Sequence, residues 1–380
     1  MNVVDLLGHP AARADWDVTV ACAPDGPLAR ALDARGIARR DHAFGSALNE
    51  LRVVGRRFDP LAKFRGWREL RRATDRLKTL VAAVRPDVLL SCTNKDHFAA
   101  GAAGKALGIP TLWWVNDILS ADFFGWPVRR VFVAQARRHA SRLAAVSDFG
   151  RAALVGEGVP AASVRTIHNG IDPARYRRDE TRPLRRELGV ADGEPLFGVV
   201  GRLTAWKGQD VFLRVADAWA RAGRPGKFAV IGGAFNEDGP FASGLRQYVA
   251  ERGLADRVRF VPFLPDVVGA LSSLDVLLHT STKPEPFGRV LIEAMAVGVP
   301  VIGAREGGVP EIVTHDRDGG LVAPGDVAGY AALLAALMAD PSRMRRWRDA
   351  GLATVRERFT LDRVFRDWDR LVRESTAIGA

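Results

Sequence analysis

Residues 196–208 read LFGVVGRLTAWKG: a five-residue nonpolar run that includes Gly198, then Gly201, two cations (Arg202 and Lys207) and Gly208, after which an amphipathic stretch begins. A short buried run that breaks at glycine and passes into helical periodicity is the strand–turn–helix unit of a parallel sheet covered by helices. The same alternation extends in both directions. Downstream, strands are expected at 228–232, 258–263, 276–281, 299–304 and 320–322. Upstream they are expected at 17–23, 87–93, 110–117, 142–147 and 164–169, with helices over 60–84 and 96–107 between them. The pattern predicts an α/β protein with two doubly wound parallel sheets. The polar stretch 179–194, which contains Pro183, is the expected linker. The expected domains are therefore 1–180 and 195–358. A last helix over 359–380, with Phe365, Trp368 and Leu371 on one face, is expected to pack back across them.

The chain has 380 residues, 47% of them apolar and 26% charged, enough for two cores and unlike a disordered chain. Its only cysteines, Cys22 and Cys92, lack metal-ligand spacing, which argues for reduced thiols and no zinc site. Glu293 interrupts the best apolar run, 290–304, well short of the ~20 residues that span a bilayer. The first residues lack a basic segment followed by an apolar one, so no signal peptide is read there. The formal net charge is +11, and residues 1–180 hold most of the excess, with 28 basic against 19 acidic side chains. Charge alone admits a nucleic acid, an anionic membrane or an acidic ligand. No nucleic-acid module accompanies it, so nucleic acid is not an expected partner. A solvated surface accounts for the excess equally well.

Doubly wound sheets bind ligands beyond the carboxyl ends of their strands. At the first such end, Gly201 permits a tight backbone, and Arg202 and Lys207 stand beside a helix N-terminus, where free N–H groups already favour an anion. A diphosphate fits there; two surface cations are the plainer alternative. At the second, Glu285-Pro286-Phe287-Gly288-Arg289 leads into a helix that carries Glu293 more than one turn in. Carboxylates would repel a diphosphate, so they are suited to accepting hydrogen bonds from neutral hydroxyls of a sugar and a ribose.

These segments resemble the group 1 retaining glycosyltransferases of GT-B fold, the glycogen-synthase-like and mannosyltransferase-like enzymes. The likeness rests on Gly201–Gly208, the Glu-x7-Glu spacing of Glu285 and Glu293, residues 294–302 (AMAVGVPVI), 307–313 (GGVPEIV) and 320–326 (GLVAPGD). Residues 145–147 and 169–172 match more weakly, and the likeness covers nearly the whole chain. The resemblance implies two Rossmann-like domains facing across a cleft, the first binding the acceptor and the second the donor. It implies that Arg202 and Lys207 hold the diphosphate of a UDP- or GDP-linked sugar, that Glu293 accepts the ribose hydroxyls and that Glu285 contacts the donor sugar. The backbone of Phe287, Gly288 and Arg289 would complete that side, beside Gly201. Arg202, Lys207 and Glu285 are the implied catalytic residues, since cations at the leaving phosphate stabilise charge that grows in the transition state. Retention of anomeric configuration is implied, with no cofactor and no metal. The Asp-x-Asp strings at 15–17, 316–318 and 367–369 are scattered and form no motif. The implied activity is transfer of a sugar to a glycan or lipid-linked acceptor in cell-surface polysaccharide or glycolipid synthesis. The alternative is a donor-binding pseudoenzyme or truncated inactive transferase.

The sequence also departs from the family. Asn116 stands, before Asp117, where many members have a histidine; asparagine carries no proton, so any base role is lost while sugar positioning by Asn116 or Asp117 survives. Asn94 and Lys95 complete the expected acceptor side, and His97 is read as either a lining or a structural residue. Residues 2–14 read as the family's first helix, with no strand and glycine-rich loop before it. This implies either an upstream start or a lost central strand. Residues 51–80 hold ten basic side chains, among them Arg52, Arg56, Arg57 and Arg71, interleaved with Phe58, Leu61, Phe64 and Trp67. Phe123, Phe124 and Trp126 precede Arg129 and Arg130. One reading is peripheral docking on an anionic membrane at the cytoplasmic face, the other a solvated helix. Salt-sensitive binding to anionic vesicles distinguishes them, and equal binding to neutral vesicles rejects docking. The expected location is cytoplasmic.

Overall fold

The computed structural model describes residues 2–44, 60–233 and 239–377. Arg52, Arg56, Arg57 and Phe58 of the basic stretch lie outside the described residues. Two compact units form, one of Met1–Asn169 with Leu361–Ala380 and the other of Gly170–Thr360. Both are α/β with parallel sheets. Among the described residues no helix is long and apolar enough to cross a membrane.

In the first unit, β1 (Val20–Cys22) pairs with β2 (Arg39–Asp41), and β3 (Leu89–Ser91), β4 (Thr111–Val115), β5 (Arg142–Ala145) and β6 (Val164–Thr166) form a four-stranded sheet in that order. All five residues of β4 are buried, the apolar signature of a strand covered on both faces. The helix Asn94–Leu107 lies close against this sheet because its contact side is small. A Cβ on Gly104 would lie 2.1 Å from Thr111 Oγ1 and 2.6 Å from the Ile109 carbonyl oxygen. The Thr93 side chain caps the helix by accepting from the Asp96 backbone N–H, and Gly108 ends it in the left-handed conformation. The helix Leu361–Ala377 buries Leu361, Val364, Phe365, Trp368 and Leu371, a stripe of helical period. Trp368 packs on Trp114 at 4.9 Å, and Trp16 donates to Asp369 at 3.0 Å. The end of the chain is thus part of the unit that contains its beginning.

His97 is a core residue here. It is 1% exposed, its ring stacks on Trp113 at 4.9 Å, and Nδ1 lies 2.8 Å from Ser91 Oγ. Burial pulls its pKa down to about 3, so the folded chain keeps this ring neutral where the unfolded chain protonates it below about 6.5. The unfolded state then binds more protons, and stability falls as pH falls. His97 accordingly costs about 1.4 kcal/mol per pH unit between about 6.5 and about 3. Urea unfolding at pH 7.0, 6.0 and 5.0 checks this: His97→Phe is expected to show a shallower loss than the parent chain, and parallel losses would contradict it.

The second unit holds a six-stranded parallel sheet built from β7 (Leu196–Val200), β8 (Lys227–Ile231), β9 (Val258–Val261), β10 (Val276–His279), β11 (Val301–Ala304) and β12 (Gly320–Val322). Its order is β12-β11-β10-β7-β8-β9, so the direction of winding reverses between β7 and β10. A doubly wound sheet opens its ligand crevice at that reversal. One helical layer packs Val211, Phe212 and Val215 on Phe197, Phe228 and Val230, all nearly fully buried. The stretch expected as a linker is held against this unit: it includes the helix Pro183–Glu187, and Arg182 and Arg185 reach Asp275 at 2.7 and 2.9 Å. The Asp-x-Asp string at 316–318 is structural, because buried Asp318 accepts from the Thr314 N–H and the Thr354 hydroxyl.

Candidate donor site at the strand ends

The loops that follow β7 and β10 meet at the reversal point and are laced together by backbone contacts. Gly208 has φ +70°, and a Cβ there would lie 1.8 Å from the Thr280 carbonyl oxygen, so only glycine permits this approach. Thr280 Oγ1 donates to the Gly208 carbonyl at 2.8 Å, and the Thr282 N–H donates to the Trp206 carbonyl at 2.8 Å. Gln209 Nε2 donates to the Arg202 carbonyl at 2.8 Å and fixes the turn from inside. The neighbouring strand ends are equally close: Gly201 N–H donates to the Ile231 carbonyl, and a Cβ on Gly232 would meet the Gly201 carbonyl at 2.0 Å. The site therefore stands on rigid strand ends.

Two expected catalytic residues are brought together. Lys207 Nζ lies 2.6 Å from Glu285 Oε2 and 4.3 Å from the centre of the Trp206 ring. The same Glu285 oxygen faces His279 Nε2 at 3.2 Å and accepts from Ser281 Oγ at 3.1 Å. Burial pushes the Glu285 carboxyl up, but Lys207 and the His279 hydrogen bond outweigh it and hold the pKa down at about 2. Three donors thus occupy Oε2, and among the described residues none reaches Oε1. The glycines of the 307–313 segment account for the placement of this backbone. Gly308 N–H donates to the Glu285 carbonyl at 2.8 Å, while Gly307 has φ +66° and a Cβ there would lie 2.3 Å from that carbonyl oxygen.

Gly288 turns the chain at φ +102° into the helix Arg289–Ala296. The Phe287 side chain is buried against Phe359 at 5.6 Å, leaving its backbone as the part suited to a ligand. Glu293 Oε1 accepts from Arg289 Nε at 2.8 Å and from the Tyr176 hydroxyl at 2.9 Å. Burial pushes the Glu293 carboxyl up, and Arg289 and Tyr176 oppose that. As at Glu285, the protein donors gather on one oxygen, and among the described residues none reaches Oε2. A buried carboxylate with one oxygen satisfied and the other open is an acceptor for a ligand hydroxyl.

The expected acceptor residues follow β3 and β4 in the other unit. Asn94 Nδ2 donates to Asp117 Oδ2 at 3.2 Å, and Asn116 Nδ2 donates to the Trp114 carbonyl at 3.1 Å. Burial pulls the Lys95 ammonium pKa down, against Asp96 and Glu69. Asn116 is thereby a fixed hydrogen-bonding group. Sequence reasoning missed Tyr176, His279 and Ser281. His279 had one signal, a polar residue closing the otherwise apolar strand VLLH; Tyr176 had none.

Comparison with known proteins bears directly on this arrangement. A family model for glycosyl transferases group 1 matches residues 180–353, and one for glycosyltransferase family 4 matches residues 2–175. The chain belongs to the group 1 glycosyltransferase family. The chain is 34% identical over 193 residues to D-inositol 3-phosphate glycosyltransferase of Nocardia farcinica, covering 50% of this chain and 43% of that protein. It is 32% identical over 258 residues to 2-deoxystreptamine glucosyltransferase of Streptomyces kanamyceticus, covering 64% and 65%. The alignments thus span between two fifths and two thirds of those relatives. The crystal structure of Anabaena HepE in complex with UDP-glucose superposes with a TM-score of 0.84 and 26% identity, covering 98% of this chain and 95% of that one. The fold is GT-B, with two Rossmann-like domains.

Proposed function

We propose that this glycosyltransferase moves a sugar from a UDP-linked donor to a hydroxyl of a glycan or lipid-linked acceptor, with retention and without a metal or cofactor. The observation that carries this reading is the pair of half-satisfied carboxylates that follow β10 at the winding reversal of the second sheet, Glu285 paired with Lys207 and Glu293 with Arg289. Glu293 takes the ribose hydroxyls and Glu285 Oε1 the donor sugar, while Arg202 and Lys207 take the diphosphate. As the bond to the anomeric carbon breaks, negative charge grows on the phosphate and positive charge on the sugar. The two cations and the Glu285 carboxylate match those charges, and a ligand that displaces water strengthens the match. The UDP-glucose complex of the similar HepE favours UDP over GDP.

A lipid-linked acceptor is supported by two exposed tryptophans of the first unit, Trp67 and Trp126, at 55% and 65% exposure. Each has an arginine over its ring, Arg71 at 5.6 Å and Arg130 at 5.9 Å, a pairing suited to an anionic interface. Incubation with UDP-glucose and a panel of hydroxyl acceptors tests the activity, with proton NMR of the product. An axial anomeric linkage, retained from the donor, is expected. An equatorial product would overturn retention, and absence of turnover from any UDP-sugar would favour the donor-binding pseudoenzyme.

A further inference from the structure

Two partners compete for Lys207. Its ammonium lies on Glu285 Oε2 at 2.6 Å, and the donor reading above, on which this inference rests, gives the same ammonium to the diphosphate. When Lys207 turns to the phosphates, Glu285 keeps its burial and loses the nearest positive charge. Burial alone favours the protonated carboxyl, which accepts hydrogen bonds poorly and offers no negative charge to a cationic sugar.

Two groups stay behind on Oε2. His279 is 4% exposed at the last position of β10, and the Tyr330 hydroxyl anchors its backbone by donating to its carbonyl at 2.7 Å. Its Nδ1 is buried and, among the described residues, has no hydrogen-bond partner. The ring proton therefore belongs on Nε2, where Glu285 Oε2 at 3.2 Å and Ser281 Oγ at 3.3 Å accept it. Ser281 Oγ in turn donates to the same carboxylate oxygen. Among the described residues, Lys207 and His279 are the charged and titratable groups found to bear on Glu285, the first from the loop after β7 and the second from β10.

We propose that His279, together with Ser281, is a positioning residue that holds the Glu285 carboxylate ionised, with Oε1 turned to the donor sugar, while Lys207 serves the diphosphate. The histidine acts through Glu285 and touches no reacting atom.

The test follows the carboxyl carbon of Glu285 by NMR in protein labelled at glutamate, the signal being assigned with Glu285→Gln. Lys207→Met stands in for capture of the lysine by a donor. Adding His279→Phe to Lys207→Met is expected to move the Glu285 titration midpoint up by about one pH unit or more, and adding His279→Gln, which keeps a donor, is expected to move it less. Ser281→Ala on the Lys207→Met background is expected to shift it in the same direction and serves if the phenylalanine variant does not fold. Equal midpoints in Lys207→Met with and without these changes would overturn the proposal. A parallel series with saturating UDP separates the two claims. A midpoint that rises with UDP in His279→Phe but not in the parent supports the exchange of partners. If UDP does not bind, the donor reading fails, while the Lys207→Met pair still decides the role of His279.

Discussion

Lys207→Met is expected to lower kcat for sugar transfer by about 10²–10³-fold, the usual loss when one fixed donor to a developing negative charge is removed. Its effect on folding is expected to be nearly as distinctive. The Lys207 and Glu285 side chains are only 19% and 11% exposed, so removing the ammonium leaves a buried carboxylate short of its strongest partner. Breaking a buried pair from one side costs about 3 kcal/mol, whereas removing both charges costs much less. Lys207→Met/Glu285→Gln is therefore expected to melt higher than Lys207→Met while remaining as inactive. That crossing of stability and activity distinguishes a catalytic ion pair from a structural one. A double variant as unstable as the sum of the two single variants would contradict the account.

Gly208→Ala is expected to be the most damaging single methyl in the second unit. The new Cβ would stand 1.8 Å from the Thr280 carbonyl oxygen, a backbone atom, and the residue would have to hold φ +70°. Relief requires separating the loops after β7 and β10, which carry Lys207 and Glu285. A loss of about 4 kcal/mol or outright failure to fold is expected. Gly325→Ala is the control. It shares the left-handed backbone at φ +76° but has nothing within 4 Å of its Cβ, so only the conformational cost of about 1 kcal/mol applies. Chemical denaturation of the two variants measures the difference, and similar losses would show that the close approach is unimportant.

The second sheet was legible because its strands are buried on both faces and read as uninterrupted apolar runs such as Leu196–Val200 and Val301–Ala304. The strand expected at 276–281 ends at His279 because the next two residues turn away into the candidate site, where Thr280 bonds to Gly208 and Ser281 to Glu285. β2 went unread since Arg39–Asp41 is polar and mostly exposed, held by pairing with β1 and by Arg39 bound to Asp33 at 2.7 Å. Periodicity carries no trace of such a strand. Lys207, Glu285 and Glu293 were legible as charges next to glycine turns. His279, Ser281 and Tyr176 were not, because their roles depend on a strand end and a distant segment arriving at carboxylates more than 100 residues away in the case of Tyr176 and Glu293. The terminal helix showed its apolar stripe in sequence, but nothing in that stripe says which unit buries it.

Calorimetric titration of the purified chain with UDP, beside Lys207→Ala and Glu293→Ala, tests the central claim most directly. Saturable binding to the parent chain is predicted, weakened at least about tenfold by each substitution, because a charge-assisted hydrogen bond lost from a buried site is worth about 1.4 kcal/mol or more. Binding that is absent in the folded parent, or unchanged in both variants, would contradict a donor site at the meeting of β7 and β10.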